Sequence, residues 1–165
     1  MPQNLELKAR IDSMAACAKI ARRIGAKRSA LIRQKDTYFR IPGVRLKIRE
    51  QRPGRSELIL YRRSNRTGAR FSAYTVYPAN RELKDLLSKM YVRDRMVIKS
   101  RIVYLYKNAR IHLDRVRGLG LFLEFEVLVT KGKEQAAGLM KELRREFQIA
   151  KGDVIGGSYK DLRGS

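Results

Sequence analysis

Six stretches of this 165-residue chain place ionised or polar side chains at every second position, with apolar residues between them. Glu6, Lys8 and Arg10 alternate with Leu5, Leu7, Ala9 and Ile11. Arg45, Lys47 and Arg49 sit between Val44, Leu46 and Ile48, and Arg62 follows Leu58 and Leu60. Lys99 and Arg101 lie between Ile98 and Ile102, Arg110, His112 and Asp114 alternate with Ile111 and Leu113, and Glu124 and Glu126 alternate with Leu123, Phe125 and Val127. A period of two is that of a β-strand, so one face of each strand is ionised. Guanidinium groups make bidentate contacts to phosphate, and ammonium groups add compact positive charge. Carboxylates are hard ligands suited to magnesium or manganese. Rows of cations with a few carboxylates among them are the chemistry that a polyanion carrying a divalent cation requires.

For any one strand the plain reading is a half-buried antiparallel strand with one solvated face. The set weakens that reading, because solvated faces usually mix both signs with neutral polar residues. Here Arg45, Lys47 and Arg49 share one face, and Glu124 and Glu126 share another. A closed barrel reconciles the pattern: inward positions alternate with outward ones along every strand. If helices cover the apolar exterior, the ionised face lines a lumen. So many confined charges are tolerable only in a wet lumen with partners of opposite sign.

The elements needed to build this arrangement are legible. A strand over Asn4 to Ile11 leads to a helix capped by Asp12 or Ser13 and stopped by Gly25. Cys17 shares that helix's apolar face with Met14, Ala18, Ala21 and Ile24, so it reads as core packing. Strands follow over Ser29 to Arg40, on either side of the Arg52-Pro53-Gly54-Arg55 turn, and over Arg70 to Tyr77. Asn80 opens a helix with Leu83, Leu86, Leu87 and Met90 on one face. Arg95 to Tyr106, Ala109 to Arg117 and Leu121 to Thr130 are predicted as consecutive strands. A third amphipathic helix carries Ala136, Met140, Leu143 and Phe147, and Ser158 opens a short final helix. The expectation is one domain over residues 1–165, α+β and mainly β: a closed eight-stranded antiparallel barrel with helices on its outside.

Composition narrows the function classes. The net charge of +22 attracts polyanions without choosing among nucleic acid, anionic membrane and phosphorylated small molecules. One cysteine excludes a disulfide framework and a thiolate zinc site, and one histidine excludes multi-histidine metal centres. The first residues lack a signal peptide's apolar core, and no apolar run reaches the length of a membrane span, so a cytoplasmic protein without membrane partners is expected.

These residues resemble the CYTH, or triphosphate tunnel metalloenzyme, superfamily. The segment Asn4-Leu5-Glu6-Leu7-Lys8 is similar to its opening Glu-x-Glu-x-Lys signature. Further matches are Asp36-Thr37-Tyr38-Phe39, Leu46-Lys47-Ile48-Arg49-Glu50, Tyr61-Arg62, Lys99-Ser100-Arg101, His112-Leu113-Asp114, the Gly118 to Glu126 segment, and Ser158-Tyr159-x-Asp161-Leu162. The resemblance is strongest to the class IV adenylate cyclase-like branch. It implies Glu6, Asp114, Glu124 and Glu126 as ligands of Mg2+ or Mn2+, and Lys8, Lys47, Arg49, Arg62, Lys99 and Arg101 as the grip on a triphosphate. Arg45 joins that grip by strand parity. Glu6, Lys8, Glu124 and Glu126 would be the residues nearest the chemistry, and Tyr38 and Tyr159 are implied to close the tunnel ends. Two positions depart from the pattern. Asn4 stands where the first signature carboxylate belongs, and Ser72 and Ala73 stand where relatives often carry a Glu; both make the metal end less anionic.

The resemblance implies either attack of a ribose hydroxyl on ATP with release of pyrophosphate, or hydrolysis of thiamine triphosphate or tripolyphosphate. A non-catalytic polyphosphate-binding module and a nucleic-acid binder are the competing classes. The second is compatible with the charge but lacks an RNP-like motif, helix-turn-helix signal or zinc finger. Oligomeric state, a dimer included, is left open.

Overall fold

The computed structural model describes residues 3–62 and 68–162, apart from the side chain of Arg62. Eight strands form its frame: β1 (Gln3–Arg10), β2 (Lys27–Phe39), β3 (Arg45–Arg52), β4 (Glu57–Arg62), β5 (Arg70–Pro78), β6 (Arg93–Tyr106), β7 (Ala109–Val116) and β8 (Gly120–Leu128). They close into a barrel in the order β1-β5-β4-β3-β2-β6-β7-β8, and every pairing is antiparallel. The closing contact sets Glu6 opposite Glu126 and Lys8 opposite Glu124.

Three helices cover parts of the outside. The first, α1 (Met14–Arg23), is capped by Ser13, whose Oγ accepts from the Ala16 amide at 3.1 Å. It stops where Gly25 takes φ +85°, a conformation that a Cβ would disfavour. The second, α2 (Arg81–Met90), is capped by Asn80 Oδ1, which accepts from the Leu83 amide at 2.9 Å. The third is α3 (Lys133–Glu146). The outward rows Leu5-Leu7-Ala9, Ile111-Leu113 and Leu123-Phe125-Val127 pack against Cys17 and Ala21 of α1 and against Leu139, Met140 and Leu143 of α3. Burial of those rows is the main apolar driving force visible in the fold. A smaller cluster seats Leu83 and Leu87 of α2 on Phe39, Leu46, Ile48, Leu58 and Leu60. Leu86 and Met90, expected on the same buried face, remain 52% and 61% exposed. The stripe of α2 that touches the barrel is one turn repeated, Leu83 and Leu87.

The opposite parity of each strand points inward. Most of those positions are polar; among the apolar ones are Val97, Val116 and Phe122. They meet Tyr38 and Tyr159 in a third buried cluster that fills one end of the barrel. Among the described residues no helix is long and apolar enough to cross a membrane.

Candidate functional site

A cavity of about 240 Å³ occupies the barrel interior. Glu6, Lys8, Lys47, Arg49, Lys99, Arg101, Glu124 and Glu126 all line it, together with Tyr38 and Tyr159. Strand parity explains the convergence: each residue occupies an inward position of β1, β2, β3, β6 or β8, except Tyr159, which comes from a single 3-10 turn (Tyr159–Asp161) after α3.

The cationic wall is organised by a carboxylate. Asp36 on β2 is fully buried and accepts from Lys47 Nζ at 2.8 Å, Arg49 Nε and Nη2 at 2.8 Å each, and Lys99 Nζ at 3.2 Å. Burial pushes the Asp36 carboxyl up, but Arg49, Lys47 and Lys99 overcome this and hold it well below the usual carboxylate range. Burial also pushes the Lys99 ammonium well below its ordinary value; Asp36 opposes the shift while Arg49, Arg101 and Lys47 reinforce it. An incoming anion would oppose that shift. The sequence reading did not assign Asp36 a role, although its inward parity with Tyr38 was a usable signal.

Deeper in the lumen, Arg101 makes two 2.7 Å bonds to Asp114 and a third, also 2.7 Å, to Glu124. Tyr159 donates its hydroxyl to Asp114 at 2.6 Å. The expectation that Asp114 is a metal ligand meets an obstacle here. Asp114 is fully buried, its two oxygens are engaged by Arg101 and Tyr159, and it is not among the residues that line the cavity. Burial alone would push its carboxyl up; Arg101 holds it instead at about 2. Its evident work is to orient Arg101 and Tyr159. Lys8 Nζ lies 3.1 Å from Glu124 and 3.9 Å from the centroid of the Tyr159 ring.

Among these cations, His112, Glu124 and Glu126 bring ligand atoms within 4.8 Å of one another, and Arg110 Nε lies 3.3 Å from Glu126. His112 Nδ1 is 3.7 Å from Glu124 and 3.9 Å from Glu126, beyond hydrogen-bond length, and this buried nitrogen has no hydrogen-bond partner. Asn4 Oδ1 is likewise buried without one. Glu6, directly opposite Glu126, lines the same wall. A buried orphan nitrogen beside two carboxylates fits a divalent cation. The oxygen donors suit magnesium or manganese, and the imidazole shifts the preference toward the transition metal. His112 thus stands with Glu124 and Glu126 where an ion would fit, two residues before the Asp114 that the resemblance implies as a ligand. Asn4 faces Ser72 across the β1–β5 pairing and both line the cavity, so the two departures from the family pattern are neighbours.

Arg45 has the inward parity of Lys47 and Arg49, yet it is not among the lining residues. Its Nη1 donates to Ser158 Oγ and Asp161 Oδ2 at 2.8 Å each. It anchors the segment that delivers Tyr159, with Arg70 donating to the Gly157 carbonyl at 2.9 Å. The side chain of Arg62 lies outside the described residues. Its backbone pairs with Ala73. The remaining wall of the cavity, from β4 and β5, presents Ile59, Tyr61, Tyr74 and Val76.

Carboxylates stand among and behind the cations of the lumen. Six described cations line it: Lys8, Lys47, Arg49, Lys99, Arg101 and Arg110. Glu6, Glu57, Glu124 and Glu126 line it too, and Asp36 and Asp114 stand directly behind the cations they bind, making six carboxylates.

The sequence pattern of the CYTH domain family matches residues 2–159. A protein of Methanocaldococcus jannaschii named "putative adenylate cyclase" is 35% identical over 68 residues, which are 40% of this chain and 39% of that one, so the match spans about two fifths of the relative's length. A solved protein of Pyrococcus horikoshii has a TM-score of 0.85 at 23% identity, covering 96% of this chain and 98% of the other. A Hippeastrum protein, described as a putative adenylyl cyclase with a dominant triphosphatase activity, has a TM-score of 0.62 at 16% identity, covering 94% and 91%. At these identities the likeness to the solved structures is one of fold.

Proposed function

Because the chain belongs to the CYTH domain family, we propose that its lumen binds a nucleoside triphosphate and, with Mg2+ or Mn2+, converts ATP to cyclic AMP and pyrophosphate. The observation that carries this reading is the meeting, in one cavity, of the Lys47-Arg49-Lys99-Arg101 wall with the His112-Glu124-Glu126 cluster. Phosphoryl and nucleotidyl transfer depend on positioning and charge neutralisation more than on covalent help from the protein. Lys8, Lys47, Arg49, Lys99 and Arg101 take the phosphate charge, and Asp36 and Asp114 hold those cations in place beforehand. Glu6, Glu126 and His112 would hold the ion, with Glu124 kept in position by Lys8 and Arg101. The bound ion supplies Lewis acidity to the phosphate oxygens. The apolar and aromatic side of the cavity (Ile59, Tyr61, Tyr74, Val76) suits the flat organic part of a nucleotide and favours it over inorganic tripolyphosphate.

A second reading, hydrolysis of the terminal phosphate of ATP, thiamine triphosphate or tripolyphosphate, is favoured by the uncharged Asn4–Ser72 pair. That pair reduces the anionic charge available to a second ion. Incubation of the purified protein with each compound and with magnesium or manganese, followed by product separation, tests both readings. Cyclic AMP from ATP is expected. Orthophosphate alone would select the second reading, and no turnover of any compound would remove the enzymatic one.

A further inference from the structure

We infer that the outer wall of β3, β2, β6 and β7 is a nucleic-acid-binding face that takes the phosphate backbone without reading sequence. Six of the 38 lysines and arginines are seen to line the cavity, so most of the positive charge of the sequence lies outside it. The register shows where part of it is concentrated. Arg52 stands opposite Arg33, Arg33 opposite Ser100, and Ser100 opposite Arg115, which makes one rung across four neighbouring strands. All three arginines have outward parity and are exposed. On the next rung Lys35 faces Ile98, whose carbonyl accepts from the amide of the exposed Arg117.

One acid on the outward row of β3 is turned away from this wall. Glu50 stands opposite Lys35, but its carboxylate is 2.6 Å from Lys84 on α2. Arg33, Arg52, Arg115 and Arg117 form no ion pair among the described residues. Like charges directly across a strand pair repel, so Arg33 and Arg52 are an arrangement that an external anion would relieve. None of the helices covers the rung: α1 and α3 pack on the outward rows of β1, β7 and β8 further along, and α2 packs on β3 and β4.

The chemistry favours a nucleic acid over other polyanions. Adjacent strands lie about 4.8 Å apart, so the rung spans roughly 14 Å. Three guanidinium groups stand along it, on β3, β2 and β7, where one phosphate backbone can reach them together. Arginine is the side chain whose fork matches phosphate oxygens in pairs. The exposed apolar neighbours of the rung on β2 and β6, Leu31 and Met96, are aliphatic, whereas membrane docking would call for an interfacial aromatic or an amphipathic helix beside the charge. An acidic peptide adding as a strand would need a free sheet edge, which a closed barrel does not have.

The test measures binding of a fluorescent single-stranded RNA oligonucleotide to the full chain over a salt series. A variant with R33E, R52E and R115E is compared with a charge-matched control carrying K19E, R22E and K141E on the helices. The inference expects the first variant to lose at least about tenfold more affinity than the control. It also expects the slope of log affinity against log salt to fall by about two, at about 0.7 per phosphate contact. R33Q, R52Q and R115Q together should weaken binding in the same direction, and circular dichroism and tripolyphosphate binding should stay unchanged in all variants. Equal losses in the wall variant and the control would overturn the assignment, as would release of RNA by stoichiometric tripolyphosphate. Binding to phosphatidylserine vesicles without binding to RNA would overturn it as well. None of these readouts depends on turnover in the lumen.

Discussion

Asp36 neutralises three cations at once, and its removal would leave Lys47, Arg49 and Lys99 facing one another in a buried site. Breaking a buried charge cluster by deleting one partner costs about 3–5 kcal/mol. Asp36→Asn should lower the denaturant midpoint accordingly, and saturating tripolyphosphate should restore much of the loss by supplying the missing negative charge. A variant equally unstable with and without the anion would mean that the three cations do not face the ligand. The depressed acids also set a pH dependence. A carboxyl whose folded value lies below its unfolded one stabilises the fold above the unfolded value, near 3.9 for Asp. That stability is lost as pH falls through the folded value, about 2 for Asp114. Acid unfolding is therefore expected to set in below about pH 4, and Asp114→Asn should lack the part of that slope worth on the order of 2 kcal/mol; circular dichroism across an acid titration checks both. At this scale the sequence was informative about type and parity and poor about partners. Lys47, Arg49, Lys99 and Arg101 line the cavity as their spacing implied. That Asp114 faces Arg101 and Tyr159 depends on a register between β6 and β7 and on a distant 3-10 turn.

Each helix works as a cover for an apolar strand row, and the cost of a change depends on whether the residue lies under that cover. Leu143 of α3 has no exposed surface, so Leu143→Ala should destabilise by about 2–5 kcal/mol. Met90, 61% exposed at the end of α2, should change stability by less than about 0.5 kcal/mol when replaced by Ala. Urea titrations of the two variants distinguish them, and equal effects would contradict the assigned core. Elements were legible to within a few residues because caps and periods are local: Ser13, Gly25, Asn80 and Ser158 all act at the ends where they were expected. Arg45 marks the limit of parity. Its alternation with Lys47 and Arg49 is real, but the end of the barrel it occupies is taken by Ser158 and Asp161, more than a hundred residues away in sequence.

For the whole molecule, closure of the sheet could be argued beforehand from the need to hide ionised faces and cover apolar ones. The order of strands could not. That β2 pairs with β6, across three intervening strands and α2, is a long-range choice with no local signature. Ring closure also changes what the start of the chain is. A first strand ordinarily peels away, because opening it disturbs only one neighbour. Here β1 is laced to β5 on one side and β8 on the other. Deuterium should enter the amides of Asn4 to Lys8 about as slowly as those in the middle of β7, and rapid labelling of that segment would show that the ring parts there first. With no loose strand to unravel from, the molecule has to let go everywhere at once.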